Sequence, residues 1–121
     1  MLEFSADQLA QLQQLEHDGF VVRVRDELLR QTPALGADPA FGARLRDAHR
    51  QALAWGLHDA QARIQFLHQE AYAPAFHAAP AVRAWLLRPG ATIEQRWRDL
   101  LALASARMAE RDRPEEPWPR S

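Results

Sequence analysis

Residues 38–57 read DPAFGARLRDAHRQALAWGL, and this stretch decides the fold. Asp38 is a preferred helix N-cap, and Pro39 suits the first helical position. Phe41, Leu45, Ala48, Ala52 and Trp55 then recur at intervals of four, three, four and three. That is one apolar stripe on a helix. Arg44, Arg46, Asp47, Arg50 and Gln51 fall off the stripe and read as a solvated helix surface. Gly56 stands where a left-handed residue closes a helix.

The same periodicity continues in both directions. Upstream, Ser5 with Gln8 three residues later forms a capping box, and Phe4 with Leu9 is placed as a hydrophobic staple. Leu9, Leu12, Leu15, Phe20, Val22, Val24, Leu28 and Leu29 follow, so a helix over residues 6–31 is expected to bury a broad face. Gly19 lies inside it, at a cost of about 1 kcal/mol relative to Ala unless a neighbouring helix approaches there. Val21-Val22-Arg23-Val24 resembles a strand, but no segment elsewhere offers to pair with it. Pro33 ends the helix near Thr32.

Downstream, a third helix is expected over residues 59–73, with Ala60, Ile64, Leu67 and Ala71 on one face and Phe66 widening it. Pro74 stops it, and residues 75–79 form a connector. Pro80 opens a brief helix to Arg88, and Pro89-Gly90 breaks it. Thr92 with Gln95 repeats the capping-box pattern. Ile93, Trp97, Leu100, Leu101, Ala104 and Met108 form the stripe of the last helix. From Arg113 the composition turns proline-rich around Trp118, as in an extended segment. The chain therefore reads as all-α: an irregular bundle of four main helices plus one short helix over residues 1–112. A flexible, disordered C-terminal tail is expected at 113–121.

Composition removes several chemistries. The chain has 121 residues, enough for one domain with a real core. It has no cysteine, which excludes disulfides, thiol catalysis and Cys-ligated metals. All 15 basic residues are Arg, so lysine nucleophiles and a P-loop are absent. The net charge of −1 argues against a nucleic-acid partner. No run approaches the roughly 20 apolar residues that span a bilayer, and the N-terminus has no signal-peptide pattern. A cytoplasmic location and no membrane partner are the expectations.

No catalytic or metal-binding pattern emerges. His17, His49, His58, His68 and His77 lack the helical zinc spacing. His68 and Glu70 are two apart and do not share a helical face. Ser5 and Thr92 serve as caps, and Asp26-Glu27 point apart on a helix. The expectation is a protein that is not an enzyme, with no cofactor and no metal.

Aromatic residues carry the remaining signal. Phe41, Trp55, Phe66 and Trp97 fit core stripes. Tyr72, Phe76 and Trp85 lie at a helix end, in the connector and on the short helix. They either pack the connector onto the third helix or form an exposed patch. Because Trp, Tyr and Arg are enriched in binding hot spots, Tyr72, Phe76, Trp85 and Arg88 are the candidate partner-binding residues. Trp118, flanked by prolines, is a further segment able to dock on a partner.

The order of these features resembles a known group. A capped N-terminal helix ends at a Pro, and a second helix runs into Ala54-Trp55-Gly56-Leu57. Ala62-Arg63-Ile64-Gln65-Phe66-Leu67-His68 follows, then an aromatic connector, Ala84-Trp85-Leu86-Leu87 and Thr92-Ile93-Glu94-Gln95-Arg96-Trp97-Arg98-Asp99-Leu100. Over about residues 1–110 this resembles the small helical proteins encoded in type VI secretion clusters of Gram-negative bacteria, beside a PAAR-tip protein, an adaptor chaperone and a toxic effector. Many of these carry an Asp in the connector, and Tyr72–Pro80 here has none. The resemblance implies a co-chaperone or co-adaptor whose protein partner is the effector adaptor, the effector or the PAAR-tip protein. Two other classes remain open: an immunity protein against a neighbouring toxin, and a small helical ligand-binding protein or enzyme.

Overall fold

The structure of the protein, a computed structural model, describes residues 5–112, with side chains through residue 107. The Phe4 half of the staple, the Met108 side chain, and the tail with Trp118 lie outside the described residues. Five helices and no strand make up the described chain, so the fold is all-α as the periodicity requires. They are α1 (Ala6–Gln31), α2 (Phe41–Ala54), α3 (Ala60–Tyr72), the short α4 (Pro80–Leu86) and α5 (Ile93–Asp112). Two 3₁₀ turns, Pro33–Ala37 and Phe76–Ala78, join α1 to α2 and α3 to α4. Val21 to Val24 lie inside α1, where helical hydrogen bonding supplies the partners a strand would have lacked.

The termini follow the local chemistry. At α1 the Gln8 N–H donates to Ser5 Oγ, and the Ser5 N–H donates to Gln8 Oε1, closing the capping box. At α5 only half of the box forms. The Gln95 N–H donates to Thr92 Oγ1, while the Gln95 amide turns away to Asp99. At the end of α2, Gly56 has φ +92°; its N–H bonds to Leu53 and the Leu57 N–H reaches Ala52. This Schellman closure buries Leu57 completely, as its accompanying hydrophobic contact.

The start of α2 differs from the sequence expectation. Asp38-Pro39 form a turn, and the helix begins at Phe41. Asp38 accepts from the Ala40 N–H at 2.9 Å through its side chain, and from the Phe41 N–H through its carbonyl. An Asp that bonds its own backbone two residues on makes a turn of its own before the helix starts.

The core is built around Phe66 and Trp97, both fully buried, with ring centroids 5.2 Å apart. Leu28, Leu45, Leu57 and Leu67 are fully buried in the same cluster. Burial of each such side chain contributes about 1.5–3 kcal/mol. The inward row of α3 is Ala62, Phe66, Leu67, Glu70 and Ala71. Ala60 and Ile64, expected inside, are exposed. The helix rotates so that Phe66 meets Trp97, and that rotation carries Ile64 outward.

The largest departure is in α1. The helix buries Val21, Val24 and Leu28, but every residue from Ser5 through Glu16 is exposed. Leu9, Leu12 and Leu15 project into solvent, with Leu15 at 67%. The expected broad buried face is therefore confined to the second half of the helix. Gly19 does not admit a neighbouring helix within the fold, since a Cβ there meets nothing within 4 Å.

Candidate functional site

Three polar or apolar assemblies stand out on this scaffold. The first is a buried ion network. Glu70 lies on the inward row of α3 at 3% exposure. Its carboxylate accepts from the Ala75 N–H at 2.9 Å and from Arg44 Nη2 at 3.3 Å, and stands 3.2 Å from His77 Nε2. Arg44 Nη2 also donates to the Glu70 carbonyl, and Nη1 donates to Asp38 at 2.6 Å. Arg44 is thus a part-buried clamp between α2, α3 and the turn before α2, not the solvated surface residue its spacing suggested. Its hydrogen bond holds the Asp38 carboxyl below the ordinary range, with the Ala40 N–H adding to the effect. Burial works to lower the Arg44 pKa, but the bonds to Asp38 and Glu70 outweigh it, so the guanidinium stays charged. Ala75 adopts φ +60°, a left-handed conformation unusual for Ala, and the Glu70 carboxylate fixes it there. With its oxygens committed to the fold, Glu70 serves as an anchor for the connector.

The second assembly joins α1, α2 and α3. His49 is buried, stacks on Phe20 with centroids 5.0 Å apart, and meets the His17 ring edge-on. Arg63 Nη1 donates to His49 Nε2 at 3.0 Å, and its guanidinium sits 4.4 Å from the Phe20 centroid. Arg is always a donor, so Nε2 accepts and the ring carries its proton on Nδ1. Burial, and then the charge of Arg63, lower the His49 pKa to about 4. The imidazole is therefore neutral and structural at physiological pH.

The third is an open groove between α1 and α3. Phe20, Arg23, Val24, Glu27, Ile64 and His68 line a largely apolar depression of about 350 Å³. Through Phe20 and Arg23 it runs into a second hollow of about 510 Å³ beside Leu15, Gly19 and Arg63. Ile64, exposed at 38%, forms its α3 wall. The chemistry here is an apolar floor with an Arg and a Glu at the rim.

The four sequence-derived candidates do not gather in one place. Tyr72 is exposed at the end of α3, and its hydroxyl bonds Thr32 at 2.8 Å. Phe76 packs edge-on to Phe66 at 4.9 Å, against the core. Trp85 donates from Nε1 to the Arg96 carbonyl and lies under the Arg96 guanidinium. Arg88 is exposed beyond α4. Tyr72 and Arg88 are the two left open to solvent, at separate elements.

Sequence reasoning passed over both Glu70 and the groove. Glu70 had a signal: it falls four residues after Phe66, on the buried row. The groove had one as well. The apolar positions of α1 wrap around more of the helix than a single interface covers.

Among the described residues no group of three or more His, Asp or Glu side chains is arranged to hold a metal ion. None of the described helices is long and apolar enough to cross a membrane. No protein-family model, no curated protein and no solved structure matches this chain.

Proposed function

We propose that this chain is a non-enzymatic protein-binding accessory, acting in the cytoplasm as a co-chaperone for an effector adaptor or effector. The observation that supports the reading is the apolar groove between α1 and α3, walled by Phe20, Val24 and Ile64 and rimmed by Arg23 and Glu27. Such a groove suits the apolar face of a helix from another protein. Arg23 and Glu27 would fix its orientation through rim charges. Binding only the folded partner stabilises that partner by mass action, which is what a co-chaperone does. The link to type VI secretion rests on the resemblance of the sequence.

Co-expression with the neighbouring adaptor tests this reading. The adaptor should be soluble and co-purify with the chain, and should be lost when the chain is omitted. Ile64→Asp should weaken capture by roughly tenfold, because a partner buries only the exposed 38% of Ile64 and the new carboxylate adds a desolvation cost. Because Ile64 is exposed, the variant should keep its helical circular dichroism. Undiminished capture by Ile64→Asp would remove the groove from the function.

A further inference from the structure

The groove uses one side of α1, and an exposed apolar row runs along the helix beside it, with Leu15 and Gly19 bordering the hollow into which the groove opens. Leu12, Leu15, Gly19 and Val22 follow at spacings of three, four and three. That is the repeat with which one helix packs along another. At 3.6 residues per turn this row lies roughly opposite Val21, Val24 and Leu28, which face the core. Leu12, Leu15 and Val22 are exposed at 44%, 67% and 40%.

Two further observations bear on what covers the row. Gly19 lies in the middle of it, in regular helix, with open space where a side chain would stand. Neither a positive φ nor a contact within the fold accounts for a glycine there. A second helix crossing at Gly19 would. The charges along α1 are also uneven. Asp7, Glu16 and Asp18 occupy the first part with no Arg, whereas Arg23, Arg25 and Arg30 follow Phe20 together with Asp26 and Glu27. Asp26 and Glu27 pair with Arg25 and Arg30 and leave Arg23 without an ion pair among the described residues. Glu16 and Arg23 flank the apolar row on the same edge, one helical repeat apart.

We propose that a second copy of this chain covers this row around Gly19, the two α1 helices pairing antiparallel through Leu15, Gly19 and Val22. The antiparallel sense sets Glu16 opposite the partner's Arg23 on both sides of the two-fold axis. A parallel pair would set acidic segment against acidic segment. The folded bodies then hang on the outer sides of the helix pair, because the core face and the pairing face are on opposite sides of α1. The Ile64 side of each α1–α3 groove lies off the pairing face, while Leu15, Gly19 and Arg23 border both, so Ile64→Asp reports on adaptor binding and Leu15→Asp on pairing.

Sedimentation velocity on the full chain, over roughly two decades of concentration, tests the proposal. The wild type should form a dimer, and Leu15→Asp should be a monomer with unchanged helical circular dichroism. Glu16→Arg or Arg23→Glu alone should weaken dimerisation about tenfold, since each breaks two rim pairs. Combining E16R with R23E should restore it, which only the antiparallel register allows. A wild type that remains monomeric throughout overturns the inference, as does a dimer that Leu15→Asp leaves intact. A dimer that the charge swap does not rescue overturns the antiparallel register. A monomer that still captures the adaptor through the Ile64 groove sinks the dimer and leaves the function standing. A dimer that captures no adaptor supports the inference and removes the function.

Discussion

Arg63 donates a hydrogen bond to the Nε2 of a buried His49, and burial together with the Arg63 charge holds that histidine in its neutral form. The consequence is a pH dependence with a definite sign. In the unfolded chain the imidazole takes a proton near pH 6.5; in the fold it resists to about pH 4. Above pH 6.5 both states are neutral and the stability is fully present. As pH falls from 6.5 towards 4 the unfolded state binds the extra proton, and stability declines. At about 1.4 kcal/mol per pH unit the total is on the order of 3 kcal/mol. Urea unfolding between pH 7.5 and 4.5 should show this slope. His49→Phe, which keeps a ring on Phe20, should flatten it between pH 5 and 6.5. An equally steep slope in the variant would place the titrating group elsewhere.

The Glu70 network should be a strong stability determinant. Glu70→Ala removes the acceptor for the Ala75 N–H and leaves Arg44, itself part-buried, with Asp38 as its carboxylate partner and the backbone carbonyl of residue 70. Because Arg44 stays partnered, the loss should lie at or below about 3–5 kcal/mol, the cost of a buried pair broken from one side. Glu70→Gln keeps an oxygen for the Ala75 N–H and should cost less. Chemical denaturation gives the magnitudes, and hydrogen exchange at the Ala75 amide gives the mechanism. That amide should exchange faster in Glu70→Ala than in Glu70→Gln. Equal exchange in the two variants would mean that the carboxylate does not hold the connector.

The same substitution at two glycines should have opposite signs. Gly56 has φ +92° and completes the closure that buries Leu57, so Gly56→Ala should destabilise by about 1 kcal/mol or more. Gly19 is in regular helix with free space around it, so Gly19→Ala should stabilise by up to about 1 kcal/mol. The Gly19 measurement belongs in the Leu15→Asp background, where α1 is unpaired. Thermal unfolding of both variants suffices. A loss at Gly19 in that background would show a contact within the monomer.

Most of the fold was legible because it is written in local chemistry. The Ser5–Gln8 box, Gly56 and the prolines at 33, 74 and 80 mark their boundaries through nearest neighbours in sequence. What periodicity does not carry is direction. It shows that Ile64 and Leu12 are apolar and face certain sides of their helices. It does not show which side another helix will cover. That choice was settled by Phe66 meeting Trp97 and by α1 reaching beyond its neighbours. The Arg44–Glu70 pair spans 26 residues, and neither partner's surroundings reveal the other. The connector aromatics show the same limit: Phe76 and Tyr72 read alike in sequence, yet one joins the core and the other faces solvent.

Trp85 separates a structural role from a binding role. Its Nε1–H donates to the Arg96 carbonyl at 3.1 Å, and the Arg96 guanidinium lies 5.0 Å from its ring centre. Both contacts tie α4 to α5. Trp85→Ala would remove packing, cation–π contact and hydrogen bond together, so any effect on partner binding would be confounded with the fold. Trp85→Phe keeps an aromatic face under Arg96 and removes the indole N–H. It should cost about 1 kcal/mol, the net worth of one hydrogen bond. Partner affinity should stay within about twofold, because the proposed docking groove lies between α1 and α3. Isothermal titration with the captured partner, beside thermal unfolding, measures both effects on one sample. A tenfold loss of affinity with an unchanged unfolding midpoint would make Trp85 a contact residue and move the docking surface to the α4–α5 side.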